Sequence, residues 1–150
     1  LRDNIYKIFR INGVEADRIQ LQGLKKNYLD SYNEIDISLD TFPYTGTTTT
    51  IDALWMGVPV VTLTGTSIHQ RASASLIQHI NMDHWIAHSP KEYIDIASTL
   101  ANSDSTLTEL RGSLRDKLKK SSLCDVKRFA QDFCASIKKL SNKQQGIKQK

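Results

Sequence analysis

The chain has 150 residues, of which 39% are hydrophobic and 24% charged, as expected for a globular domain with its own core. Its formal charge is +4, and the basic excess gathers from Lys117 onward, which favours a solvated tail over a nucleic-acid-binding groove. No apolar run reaches the roughly 18 residues that cross a bilayer. We therefore expect neither a nucleic-acid partner nor a membrane anchor.

The two cysteines, Cys124 and Cys134, form no CxxC pair and have no histidine at ligand spacing. Neither a zinc site nor a disulfide scaffold is indicated. A reducing, cytoplasmic setting is therefore expected. The N-terminus lacks the apolar core of a signal peptide. Helical periodicity begins at once after Leu1, which indicates a piece of a longer polypeptide.

The predicted elements of the first half alternate between helical and strand patterns. Asn12-Gly13 closes the first helix, because glycine accepts a left-handed conformation. Alternating apolar residues then predict strands, and the second of these leads into a threonine-rich loop. In chain order, the predictions are a helix over 2–12, a strand over 18–24, a short helix over 26–33, a strand over 35–40 and a helix over 49–56.

The second half continues the alternation. Residues 58–63 form a continuous β-branched run, typical of a strand covered on both faces. Further elements are a helix over 67–80, a strand over 85–87, a helix opening at Ser89-Pro90 and helices over 105–120 and 125–140. This alternation predicts an α/β fold, a Rossmann-like parallel sheet with helices on both faces. We assign the domain to residues 1–140 and expect a disordered tail over 141–150, which has little to bury.

The loop before the helix at 49–56 has the composition of a phosphate site. It lies beyond the carboxyl end of a predicted strand, where open parallel sheets bind ligands. The first turn of a helix offers unpaired N–H groups and a partial positive charge, so a phosphate is stabilised there. Gly46 allows close approach, threonine hydroxyls can donate, and Asp52 can accept from ribose hydroxyls. From the spacing alone, threonines that only cap the helix and an Asp52 that only complements its dipole remain an equal alternative.

A longer stretch carries a family resemblance. Residues 36–63, DISLDTFPYTGTTTTIDALWMGVPVVTL, resemble the C-terminal catalytic lobe of the O-linked N-acetylglucosamine transferases and their bacterial and SPINDLY-type relatives. The similarity continues through 71–76, 92–97, 110–111 and 114–115, and it covers most of residues 19–140. Such a long pattern is far more specific than a short nucleotide-binding motif.

The resemblance implies a GT-B glycosyltransferase, with this chain as part of the second of two Rossmann-like lobes. It implies UDP-N-acetylglucosamine as donor, a protein Ser or Thr as acceptor, and transfer with inversion and without a metal or other cofactor. No D-x-D triplet occurs in the sequence. Tetratricopeptide repeats and a first catalytic lobe are expected upstream. Because the first lobe and the acceptor groove are expected outside this chain, we name no catalytic base and expect the chain alone to be inactive.

The site residues follow from matching positions in that family. Thr48 and Thr49 match threonines that contact the diphosphate, and Asp52 matches the acid that holds the ribose. Lys25 falls near the lysine that packs beside the base.

Two positions depart from the family pattern. Thr47 stands where animal members have a histidine, although bacterial relatives also have small residues there. Tyr28 stands where a histidine usually lies beside the nucleobase, which leaves the nucleotide open. GDP-fucose is therefore an alternative donor, and a non-catalytic scaffold derived from the lobe is an alternative function.

Overall fold

The structure is a computed structural model that describes residues 1–23 and 25–147, with side chains as far as residue 140. Its strands are β1, Ser38–Leu39; β2, Val60–Leu63; and β3, Ile86–Ala87. Its α-helices are α1, Arg2–Ile11; α2, Thr48–Trp55; α3, Ala72–Gln78; α4, Pro90–Ala101; α5, Asp104–Lys120; and α6, Val126–Ile147. Short 3-10 turns lie at Ala16–Arg18, Tyr28–Glu34, Ile68–Gln70, Asp83–Trp85 and Ser122–Cys124.

The strands form a parallel sheet in the order β1-β2-β3. Ser38 pairs with Val60 in the first ladder, and Thr62 pairs with Ile86 in the second. The central strand β2 has a β-branched sequence and is buried at its first three positions, as a strand covered on both faces should be. The carboxyl ends of all three strands therefore meet at one edge.

Helices cover both faces of this sheet, as the sequence predicts. Helices α2 and α3 follow β1 and β2 in the chain, and they contact each other and β2. Helix α4 packs against β2 and β3, and α5 contacts both α2 and α4. The core between these layers is apolar and includes Leu54, Val61, Ile77, Trp85 and Leu114. The predicted α/β fold is confirmed.

The strand predicted over 18–24 is wrong for its described part. The chain makes a 3-10 turn at Ala16–Arg18 and has no regular secondary structure from residue 19 to residue 23, while Leu24 lies outside the described residues. A strand needs a neighbour to hydrogen-bond with, and sequence alternation alone supplies none. The strand predicted over 35–40 pairs only at Ser38–Leu39 for the same reason.

Two helix predictions also change. The helix predicted over 67–80 divides into a 3-10 turn at Ile68–Gln70, which starts with a capping box of Ser67 and Gln70, and helix α3. The break is at Arg71, whose backbone leaves the helical conformation. At the C-terminus, α6 continues to Ile147, into the segment where the sequence predicts disorder. Lysine and glutamine propagate a helix well once it has started. The last three residues lie outside the described part, and the tail stays a prediction.

Among the described helices, none combines the length and apolar character that a bilayer-crossing segment requires.

Candidate functional site

The candidate site lies where β1 ends at the carboxyl edge of the sheet. The chain leaves β1 at Leu39, turns through residues 40–47 and enters α2 at Thr48. This is the segment in which the sequence predicts a phosphate-binding loop.

Asp40 holds the loop in place. Its Oδ1 accepts hydrogen bonds from the N–H groups of Thr41 at 3.0 Å and Gly46 at 2.9 Å. Its Oδ2 accepts from the hydroxyl of Thr62 on β2 at 2.7 Å. The phenol of Tyr93 donates to the Asp40 carbonyl at 2.9 Å, and burial followed by the Asp40 charge raises the pKa of Tyr93. One carboxylate thus joins both ends of the loop to the centre of the sheet.

A buried hydroxyl network supports the loop from below. The N–H and hydroxyl of Thr45 donate to the His69 carbonyl at 3.0 and 2.9 Å. The hydroxyl of Ser73 donates to the Gly46 carbonyl at 2.8 Å and lies 2.8 Å from the Thr50 hydroxyl. Sequence reasoning missed Ser73, and its only signal is a place in the small-residue run after Arg71.

Gly46 is required by close packing. A Cβ at this position would lie 2.6 Å from the hydroxyl oxygens of Thr49 and Thr50 and 3.3 Å from Oδ1 of Asp40. Contacts under 3.0 Å force a neighbour to move. The backbone therefore reaches the first turn of α2 only because residue 46 has no side chain.

The first turn of α2 is open to an anion. Thr47 makes no side-chain cap bond, and the Ile51 N–H begins the helical ladder by donating to the Thr47 carbonyl at 3.1 Å. The N–H groups at residues 48–50 therefore have no partner within the helix. Thr48 and Thr49 are exposed, so their hydroxyls can add donors to the positive end of the helix.

Asp52 and Tyr28 come together beside this turn. The phenol of Tyr28 donates to Oδ2 of Asp52 at 3.1 Å, and this hydrogen bond is the main cause that raises the pKa of Tyr28. Asp52 is half-buried and lies at the start of the second turn of α2. The structure thus joins two residues that are 24 positions apart in sequence.

The 3-10 turn that carries Tyr28 is anchored to α2 and α5. Tyr32 donates its hydroxyl to the Thr49 carbonyl at 3.3 Å, and its pKa is raised by burial and then by the Asp52 charge. Arg111 of α5 donates to the carbonyls of Tyr32 at 2.9 Å and Met56 at 3.2 Å, and also to that of Ile35. Sequence reasoning did not identify this role of Arg111.

Lys25 is bound within its own segment. Its Nζ lies 3.2 Å from Oε1 of Glu34, and Glu34 also accepts from the Gln22 amide at 2.8 Å. These hydrogen bonds, with Gln22 first, lower the pKa of Glu34. In the described part of the chain, Lys25 makes no hydrogen bond to Tyr28 or Asp52. The structure places Lys25 next to the turn and leaves its role at a base untested.

A groove of about 680 Å³ extends from Thr47 along the carboxyl edge of the sheet. Arg71 and His88 line its far side, together with apolar residues of α3. Within residues 1–23 and 25–147, no group of three or more histidine, cysteine or acidic side chains is placed to hold a metal ion.

Comparison with known proteins identifies the family of this chain. The family model described as "Glycosyl transferase family 41" matches residues 2–133. The tomato (Solanum lycopersicum) protein named probable UDP-N-acetylglucosamine–peptide N-acetylglucosaminyltransferase SPINDLY is 37% identical over 136 residues, which are 89% of this chain and 15% of that protein. The barley (Hordeum vulgare) protein of the same name is 40% identical over 119 residues, covering 79% of this chain and 13% of its own length.

A solved structure extends the comparison to the fold. A mutant of the Thermobaculum terrenum O-GlcNAc transferase superposes with a TM-score of 0.82 at 36% sequence identity, covering 91% of this chain and 27% of that one. The chain therefore corresponds to a small part of the relatives it matches. With most of its length matched by the family model and by close relatives, this chain belongs to glycosyl transferase family 41.

Proposed function

We propose that this chain is the donor-binding part of an inverting glycosyltransferase that moves N-acetylglucosamine from UDP-N-acetylglucosamine to a protein Ser or Thr. The observation that carries the proposal is the uncapped first turn of α2, which places free N–H groups beside Asp52. The names of the relatives, which are peptide N-acetylglucosaminyltransferases, support the same donor and acceptor classes.

The first turn of α2 serves the leaving group. The acceptor oxygen attacks the anomeric carbon, the bond from that carbon to the diphosphate breaks, and the electron pair leaves with UDP. Negative charge then grows on the diphosphate, where the N–H groups at residues 48–50 and the hydroxyls of Thr48 and Thr49 stabilise it. Gly46 and Asp40 keep the loop rigid, so these donors need no reorganisation as charge develops. A group outside the assigned residues takes the acceptor proton.

Asp52 serves the nucleoside. Its carboxylate accepts hydrogen bonds from ribose hydroxyls, while the ring of Tyr28 and the stem of Lys25 lie beside the base. Thr47 opens onto the groove that leads toward Arg71, on the side where the transferred sugar and the acceptor would approach. The donor site thus follows the sheet edge from base to diphosphate.

The remaining parts of the enzyme are also proposals. A first catalytic lobe would close the cleft, and tetratricopeptide repeats upstream would present the acceptor protein. A cytoplasmic location would give the enzyme access to cytoplasmic nucleotide sugars and to protein acceptors.

Calorimetry with UDP tests the proposal on the full-length protein. We expect Asp52→Ala to weaken UDP binding by about 10- to 100-fold, the worth of hydrogen bonds to a charged group. The matched control is Asp95→Ala, which removes an exposed carboxylate that pairs with Lys91 on α4, away from the loop. Equal affinity in the Asp52 variant and in the unaltered protein would contradict the assignment.

The tyrosine at position 28 supports a second candidate for the sugar donor. Because a tyrosine stands where the family usually has a histidine, a GDP-sugar, with GDP-fucose first, is the alternative donor. Tighter binding of GDP than of UDP in the same calorimeter would select it. Binding of either nucleotide without transfer or donor hydrolysis would instead indicate a non-catalytic scaffold.

A further inference from the structure

We propose that Tyr28 is a positioning residue that acts on the ribose through Asp52, so that the site selects ribonucleotides over 2′-deoxyribonucleotides. This inference rests on the proposed donor site and adds a specificity that the family resemblance does not assign to Tyr28.

The Asp52 carboxylate has acceptor positions left for a ribose diol. An ionised carboxylate has two oxygens and about four acceptor positions. Tyr28 occupies one position on Oδ2 of Asp52 at 3.1 Å, which fixes the rotation of the side chain and leaves the other positions free. A vicinal diol can then donate to both oxygens without first ordering the acid. A single hydroxyl, as in 2′-deoxyribose, uses only part of this arrangement.

The turn that carries Tyr28 is anchored to the rest of the fold. Tyr28 is 49% exposed, so packing alone does not fix it. Its turn is fixed instead mainly by Arg111 of α5, which donates to the carbonyls of Tyr32 and Ile35. These bonds hold the backbone of the turn beside α2, and the hydrogen bond to Asp52 orients the phenol itself.

The Tyr28 phenol remains a hydrogen-bond donor at neutral pH. A phenol titrates near 10, well above neutral pH, whereas a histidine titrates near 6.5. The bond to Asp52 raises the pKa of Tyr28 further, which keeps the phenol protonated. Tyr32, the other titratable group that senses the Asp52 charge, also has a raised pKa. The position therefore donates to Asp52 throughout the neutral range.

The test compares UDP with 2′-deoxy-UDP in calorimetry on the full-length protein. We expect the unaltered protein to prefer UDP by about 10-fold or more, since the 2′-hydroxyl adds one hydrogen bond to the charged Asp52 carboxylate. Tyr28→Phe keeps the ring and removes the hydroxyl, and we expect it to reduce that preference to about threefold or less. Most of the change should come from weaker UDP binding.

Tyr32→Phe is the matched control, because its hydroxyl bonds to a backbone carbonyl and not to Asp52. Any loss of affinity there should affect both nucleotides equally and preserve the preference. In an Asp52→Asn background, Tyr28→Phe should change the preference no further, which separates positioning from general loosening. Unfolding midpoints of all variants establish that each is folded.

The outcomes separate the two proposals. If Tyr28→Phe retains the full preference, or if Tyr32→Phe loses it equally, the positioning role is overturned and the donor site stands. If the unaltered protein binds none of UDP, 2′-deoxy-UDP, GDP and 2′-deoxy-GDP, both proposals fail. If GDP binds more tightly than UDP, the preference for the ribonucleotide over the 2′-deoxyribonucleotide is measured with GDP and 2′-deoxy-GDP.

Discussion

The two ends of the candidate site are built in different ways. At the end proposed to bind the diphosphate, the loop over residues 40–47 is bonded to β2 through Asp40 and to α3 through the buried Ser73. At the base end, the 3-10 turn Tyr28–Glu34 contains no buried residue and is held mainly by bonds to backbone carbonyls.

This difference has a functional consequence. A buried polar network is fixed by the core, and removing one member leaves its partners unpaired. An exposed turn tolerates substitution, because its side chains exchange protein contacts for water at little cost. We therefore expect the proposed diphosphate end to tolerate few substitutions, and the proposed base end to accept surface substitutions such as the tyrosine at position 28.

Asp40→Ala should break the diphosphate end most severely. The change removes the acceptor for Thr41, Gly46 and Thr62 at once, and we expect a loss of about 2–4 kcal/mol in the free energy of unfolding. Chemical denaturation measures the loss, and UDP affinity should fall with it. As a control, Asp36→Asn alters a carboxylate that is 80% exposed at the other end of β1 and should cost little. Similar losses in both variants would show that the loop does not depend on Asp40.

Gly46→Ala should have the next largest effect. The added methyl group meets the hydroxyls of Thr49 and Thr50 at 2.6 Å, so the loop or the first turn of α2 must shift, at about 1–3 kcal/mol. We expect nucleotide affinity to fall by a larger factor than stability explains. Gly112→Ala on α5 is the counterpart, because nothing lies within 4 Å of its added methyl group. There we expect a gain of up to about 1 kcal/mol. A neutral Gly46 variant would refute the close-packing argument.

Glu34→Gln at the base end should have the smallest effect. The hydrogen bonds from Gln22 and Lys25 lower the pKa of Glu34 below its ordinary value of 4.5. Its contribution to stability is therefore fully present above that value and is lost as the pH falls through the lower folded-state pKa. Denaturation curves from neutral to acidic pH should show a slightly weaker acid dependence in the variant. A larger loss at neutral pH than that of Gly46→Ala would reverse the ranking of the two ends.

Sequence reasoning succeeded where the pattern reflects local chemistry. The β-branched run at 58–63 contains β2, and the threonine-rich segment after Gly46 leads into α2 as the local pattern predicts. The strand predicted over 18–24 failed where described, since alternation does not supply a neighbouring strand. Ser73 and Arg111 were missed because their partners are distant in sequence, 27 positions for Ser73 with Gly46 and 79 for Arg111 with Tyr32.

The sequence by itself determined the α/β class, the family resemblance and the position of the loop that we propose to bind an anion, because periodicity, glycine and helix-start chemistry act over a few neighbouring residues. Only the tertiary structure decided that Asp40 ties the loop to β2, that Ser73 supports it and that Tyr28 donates to Asp52. These contacts depend on which distant segments the packed sheet and helices bring together. Such long-range proximity is a property of the fold and has no local signature in the chain.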